Sequence, residues 1–171
     1  RPVMVWLHGG GFSTGSGIEH FAYDGENMSS FRDVVVVTLN HRLNVLGFLD
    51  LSFYGEKYRY SANVGMADIV EALQWIKRNI TAFGGDPQNV TIFGQSGGGG
   101  KVAALLQIPS ANGLFHRAVI QSGVLRPRPE RQKGQDMAAL LLERLEIQPR
   151  QAEELETVPY YKLQQIIMSL G

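Results

Sequence analysis

Four short apolar runs, each halted by glycine or polar residues, constrain the fold of this chain more than any other feature. Val3–Leu7 lies between Pro2 and Gly9-Gly10-Gly11, and residues 34–39 are almost wholly β-branched. Residues 90–93 end at Gly94, and residues 118–120 end at Gln121-Ser122-Gly123. Continuous runs of this kind predict four buried strands covered on both faces, the habit of parallel sheets. Between the second and third runs, Ile69, Val70, Leu73, Trp75, Ile76 and Ile80 recur at helical spacing within 66–80, and Phe83-Gly84-Gly85-Asp86-Pro87 closes that helix. A shorter helix, 97–107, follows the third run directly. Strands alternating with helices predict an α/β fold with a mostly parallel central sheet and crossover helices, of which this chain is a portion.

The chain has 171 residues, 44% of them hydrophobic, enough to bury one core of ordinary size. Residues 1–123 are read as the partial core. Residues 124–171 are read as a helical segment covering that core within the same domain: a stiff polar linker at Arg126-Pro127-Arg128-Pro129, an amphipathic stretch at 136–145 with Met137, Leu140, Leu141 and Leu145 on one face, and a second helix after Pro159. The first eight residues, Arg1 to His8, read as a strand already in progress, so the chain is expected to begin within a domain. Sixteen basic residues balance sixteen acidic ones, which gives no net field to attract nucleic acid and suits a neutral small substrate. No apolar run reaches the ~18 residues that span a bilayer. With no cysteine, a thiolate nucleophile and a thiolate metal site are both excluded from this segment, and the compartment is left open.

The chemistry is concentrated in the third run. Residues 90–98 read as strand, then Gly94-Gln95-Ser96-Gly97-Gly98, then helix. A sharp strand-to-helix turn lifts the central serine above the sheet edge, and it needs small residues on either side so that neighbouring backbone can approach. Ser96 is therefore the candidate nucleophile. The helix that starts here turns its free N–H groups toward the place where an oxyanion would form, and Gly97 is one candidate donor. The bland alternative is a serine that merely caps a helix. Four consecutive glycines at 97–100 argue against it, since each costs a helix about 1 kcal/mol relative to alanine. His8-Gly9-Gly10-Gly11-Phe12, directly after the first run, can turn several N–H groups toward one point, with Gly10 and Gly11 as the donors. Phosphate-binding readings of the glycines mostly fail: a Walker-type loop would need glycine where Gln95 stands and Ser or Thr in place of Val102, and Gly98–Ala103, which fits the loose dinucleotide pattern, lies past the strand end with no acidic residue about 20 positions on, so Lys101 is expected to be solvated or locally paired.

A serine nucleophile needs a base and an acid to orient it. With a chain order of serine, acid, histidine, His8, His20 and His41 precede Ser96 and are excluded. His116 follows Ser96, but no Asp or Glu lies between them, and it stands at the entry to the fourth run, where packing or capping is the expected role. The acid and the histidine are expected beyond Gly171.

These residues resemble the type B carboxylesterases, the α/β-hydrolase family that includes cholinesterases and bacterial esterases. The matching blocks are 2–12, Asn40-His41-Arg42-Leu43-Asn44-Val45-Leu46-Gly47-Phe48, 63–68, 72–87, 89–98 and 115–123. The resemblance implies Ser96 as acyl-accepting nucleophile and an oxyanion hole from the N–H groups of Gly10, Gly11 and Gly97. It implies a structural ion pair between Arg42 and Asp68, and a supporting place for Ser122 near the triad acid. It also implies that the amino-terminal strands of the fold are absent. Gln95 stands where the family usually has glutamate, Gly97 where alanine is commoner, and His41 where tyrosine is usual. The expected activity is hydrolysis of a small carboxylic ester, with no metal or organic cofactor. The rivals are a non-catalytic cholinesterase-like binding protein, which would characteristically lack the nucleophile, and a truncated product without activity. The 171 residues alone are expected to be inactive and poorly stable.

Overall fold

A computed structural model describes residues 1–124 and 131–170. In chain order the elements are β1 (Val3–Leu7), α1 (Glu26–Arg32), β2 (Val35–Thr38), α2 (Asn44–Phe48), α3 (Val64–Asn79), β3 (Val90–Gln95), α4 (Gly97–Leu105), β4 (Arg117–Gln121), α5 (Arg131–Arg144) and α6 (Tyr160–Leu170). The linker assigned to 126–129 lies outside the described residues. Among the described residues, no helix is long and apolar enough to cross a membrane.

The contacts divide the chain into two compact units. The first, Arg1–Asn44 with Gly65–Arg126, holds a four-stranded sheet of order β2-β1-β3-β4, all parallel. β1 and β3 occupy its middle: Val3, Val5, Leu7, Val90 and Ile92 are fully buried. Only these two strands are buried as expected. β2 is half-buried along its length, and Val119 and Ile120 of β4 are each 43% exposed. Among the described residues both outer strands lack a neighbour on one side, so an equally apolar sequence is covered less well there.

α3 packs through Met66, Ile69, Val70, Leu73 and Ile76, a stripe at spacings of three and four that continues to Ile80. Trp75 is not part of it. It lies two positions beyond Leu73, on the opposite side of the helix, is half-exposed, and meets the Phe83 ring at 6.0 Å. After Asn79 the chain tightens into a 3-10 turn, Ile80–Phe83, which ends on Gly84 in the left-handed region at φ 77°.

The order of strands decides where a site can form. The chain leaves β1 for β2 on one side, then crosses back past β1 to β3 and continues to β4. Connections that depart in opposite directions from adjacent parallel strands leave a crevice beyond their carboxyl ends, here between β1 and β3. The segments emerging at that place are His8–Phe12 and Gln95–Gly97.

The second unit comprises Val45–Val64 with Pro127–Gly171. Its own core is Leu49, Leu51, Ala138, Leu141, Leu142, Ala152, Leu155 and Leu163, flanked by half-buried Met137, Leu145, Ile147 and Ile166. Residues 45–64 thus group with the carboxyl-terminal helices rather than with the sheet that precedes them in sequence.

Candidate active site

Register brings the two segments together. β1 pairs with β3 so that Leu7 lies opposite Gly94, and one step further out Gly9 comes against Gln95 and Ser96: a methyl group on Gly9 would stand 3.3 Å from the Gln95 carbonyl oxygen and 3.8 Å from Ser96 Cβ. Ser96 occupies the N-cap position of α4 with φ 56° and ψ −122°, far from the extended backbone of an ordinary cap. Its side chain makes no capping hydrogen bond. The turn is secured through the backbone, the Ser96 N–H donating to Gln121 O at 2.8 Å and the Gly100 N–H donating to Ser96 O at 3.0 Å. An exposed serine, held in the sparsely populated left-handed half of backbone space with a hydroxyl uncommitted among the described residues, contradicts the capping alternative.

The glycine loop is built just as tightly. Gly10, Gly11 and Phe12 follow one another at φ 88°, 61° and 67°. The Gly10 carbonyl accepts from the N–H groups of Ser13 and Thr14 at 3.0 Å each, and the Phe12 carbonyl accepts from the Asn44 N–H at 2.9 Å. At Gly10 a Cβ would lie 2.1 Å from Thr14 O, so only glycine closes this turn. The loop then touches the helix start: a methyl on Gly97 would stand 2.5 Å from the Gly11 nitrogen. Among the described residues, the amides of Gly10, Gly11 and Gly97 donate to no other group. Three uncommitted N–H groups thus stand on two segments in contact, beside an uncommitted hydroxyl.

The remaining residues singled out from sequence are placed as follows. Gln95 ends β3 and is exposed. Ser122 follows β4, exposed, at φ 51°, and Gly123 passes so close to the first turn of α4 that its own methyl would lie 2.4 Å from the Gly99 carbonyl carbon. Arg42 and Asp68 form a two-pronged pair, Nε to Oδ2 at 2.9 Å and Nη2 to Oδ1 at 2.6 Å. The Arg42 N–H adds a third bond to Oδ2, at 2.9 Å. The guanidinium holds the Asp68 carboxyl below its ordinary pKa. This pair ties the segment after β2 to α3.

The histidines separate by position. His116 accepts the Val90 N–H on Nδ1 at 3.2 Å, latching the start of β3. Ser96 lies six residues further along that strand direction, roughly 20 Å away at the rise of an extended chain, so His116 cannot serve it as base. His20 caps a 3-10 turn by accepting from the Ala22 N–H. His8 and His41 stack at 5.1 Å, the first fully buried, and the Nε2 atoms of both are enclosed without a hydrogen-bond partner among the described residues. Beside them lies Lys101, which is not solvated: it is fully buried and donates from Nζ to the His8 carbonyl at 2.8 Å. Burial brings the Lys101 pKa down to about 8. Sequence reasoning missed this cluster. The signal available to it was position, because Lys101 lies on the face of α4 that also carries Gly98 and Leu105, both buried.

Burial, and then the Lys101 charge, depress both histidines, His41 to about 4. Between the ordinary histidine value of ~6.5 and about 4, the unfolded chain takes up a proton that the folded chain refuses. Stability therefore falls as pH drops through that window. His41 should account for about 1–2 kcal/mol of the loss after allowance for its partial exposure. Urea midpoints measured at pH 7 and pH 5 should diverge in the parent protein and move closer together in a His41→Phe variant; identical pH slopes would refute the assignment.

The model of the carboxylesterase family matches residues 1–166. The chain is 48% identical over 157 residues to the para-nitrobenzyl esterase of Bacillus subtilis, covering 92% of this chain and 31% of that protein, and 44% identical over 128 residues to human bile salt-activated lipase, covering 72% and 16%. Among solved structures it superposes on an esterase from the anaerobe Clostridium hathewayi that can hydrolyze aliphatic aromatic polyesters, with TM-score 0.91 and 58% identity over 97% of this chain and 34% of that one. It superposes equally on a carboxylesterase of Geobacillus stearothermophilus, with TM-score 0.93 and 45% identity over 100% and 36%. The chain spans about a third or less of the length of these relatives. The neighbours have the α/β-hydrolase fold, of which the parallel sheet and helices here are a part.

Proposed function

We propose, because the chain belongs to the carboxylesterase family, that it carries the nucleophile half of the active site of a carboxylic ester hydrolase. Ser96 Oγ attacks the carbonyl carbon of the ester while its proton passes to a histidine. The carbonyl oxygen becomes an anion, received by the N–H groups of Gly10, Gly11 and Gly97. The intermediate collapses to an acyl-serine, and the alcohol leaves with the proton. Water, losing its proton to the same base, then releases the carboxylic acid and restores Ser96. The histidine and its acid partner are assigned to the part of the family's length that this chain does not span. On this reading the 171 residues alone are inactive, and Gln95 and Ser122 act through their neighbours rather than on the substrate.

The single observation that carries this reading is the strained serine with an uncommitted hydroxyl beside three uncommitted amides. A pure binding protein has no use for that combination, because the backbone strain and the unpaired donors each cost stability. A fluorophosphonate probe applied to the complete protein should give a single adduct, mapped by peptide mass spectrometry to Ser96. An ester-hydrolysing protein labelled at another residue would sink the proposal.

A further inference from the structure

We propose that Lys101 is a positioning residue that fastens both ends of the oxyanion loop to the helix bearing the nucleophile. The assignment rests on the reading of Ser96 and the loop glycines given above.

Lys101 lies one helical turn beyond Gly97 on α4, fully buried. Its ammonium donates to the His8 carbonyl at 2.8 Å, and its Nζ sits 5.6 Å from the centroid of the Phe12 ring. His8 is the last residue before Gly9-Gly10-Gly11, and Phe12 is the first after them. One cation therefore grips the loop at its entry and at its exit. Its anchor is the helix whose first residue supplies Gly97 and whose cap is Ser96. Nucleophile and donors are thereby referred to one rigid element. A second fastening, the Asn44 N–H on the Phe12 carbonyl, reaches only the exit.

A buried ammonium is an expensive way to fill space. An apolar side chain of similar length would occupy the same volume without desolvating a charge. The charged and titratable groups that act on it are His8 and His41, both pushed toward the neutral form, and Glu19, whose carboxylate favours the charge. None of the three replaces the His8 carbonyl as acceptor. The need for a fastening there follows from the loop's backbone: Gly10 and Gly11 can take positive φ but are not confined to it, and Phe12 at φ 67° holds a value that residues with side chains rarely adopt.

In the complete protein, Lys101→Met keeps the length of the side chain and removes donor and charge. It should lower kcat roughly tenfold to a hundredfold with KM changed by less than about threefold, because the donors are misplaced while the ester still binds. Affinity for an aliphatic trifluoromethyl ketone, which forms a tetrahedral oxyanion adduct on the serine, should fall by the same factor as kcat/KM. A role confined to stability would shift the melting temperature without this match. Unchanged kcat, or a fall in kcat with unchanged ketone affinity, would overturn the assignment. Should Lys101→Met fail to fold, Phe12→Leu decides: ketone affinity reduced severalfold supports it, and unchanged affinity overturns it. A parent protein that neither turns over the ester nor accepts the fluorophosphonate would instead refute the ester-hydrolase reading, and this assignment with it.

Discussion

Replacing Ser96 by alanine in the complete protein is expected to lower turnover of a nitrophenyl ester by on the order of 10⁶, the scale on which triad hydrolases lose kcat when the nucleophile is removed. The same substitution should leave the melting temperature unchanged. An ordinary N-cap serine contributes about 1 kcal/mol through the hydrogen bond that its oxygen accepts from the helix, and its loss is read directly in a melt. Ser96 stands at the cap of α4 yet accepts no such bond. Its backbone strain is shared by alanine, which has the same Cβ. The two readouts together separate a nucleophile from a cap. Retained activity would end the nucleophile assignment, and a melt lowered by a kcal/mol or more would restore the capping reading.

Gly98→Ala and Gly100→Ala, two positions apart on the same helix, are expected to act with opposite sign. A methyl on Gly98 would lie 2.0 Å from the Leu7 carbonyl oxygen and 2.9 Å from that of His8. Both obstacles are backbone, and Leu7 is fully buried in a strand paired on both sides, so neither can step aside cheaply. The substitution should cost about 3 kcal/mol or more and shift or abolish cooperative melting. A methyl on Gly100 would meet Phe12 at 3.4 Å and the Val124 carbonyl oxygen at 3.6 Å, which is ordinary contact. Alanine there should be neutral or stabilising by up to about 1 kcal/mol, from helix propensity. Equal melts for the parent and Gly98→Ala would show that α4 does not press on the end of β1 as described.

The contrast explains why glycines at 97–100 are recognisable from the sequence as functional, but not divisible by role. The sequence shows that the helix tolerates four of them. Which one abuts a carbonyl, which one faces an oxyanion loop and which one is merely small depends on strands almost ninety residues away. The same holds for the strands themselves. Four runs of similar hydrophobicity were legible as strands, and their order along the chain with helices between them implied a parallel sheet. That β1 and β3 are central and β2 and β4 outer is a property of the order β2-β1-β3-β4, which no single run encodes. The residues 45–64 show the limit from another side: Leu49 and Leu51 look like any apolar pair, and their grouping with Leu141, Leu142 and Leu155 rests on contacts across about ninety residues of chain.

By itself, then, the sequence determined the four strands, the helices that follow the second and third of them, the serine turn and the glycine loop, because these depend on local rules: hydrophobic period, the steric freedom of glycine, and the short spacing around Ser96; the short helices α1 and α2, which carry no such period, were not legible. Tertiary structure alone decided that Lys101 is buried rather than solvated, that His8 and His41 stack on each other, and that the Ser96 side chain does not cap its helix. The reason is physical. Whether a polar side chain is solvated, paired or idle depends on which distant backbone groups arrive beside it, and in a parallel sheet every such arrival waits on a crossover.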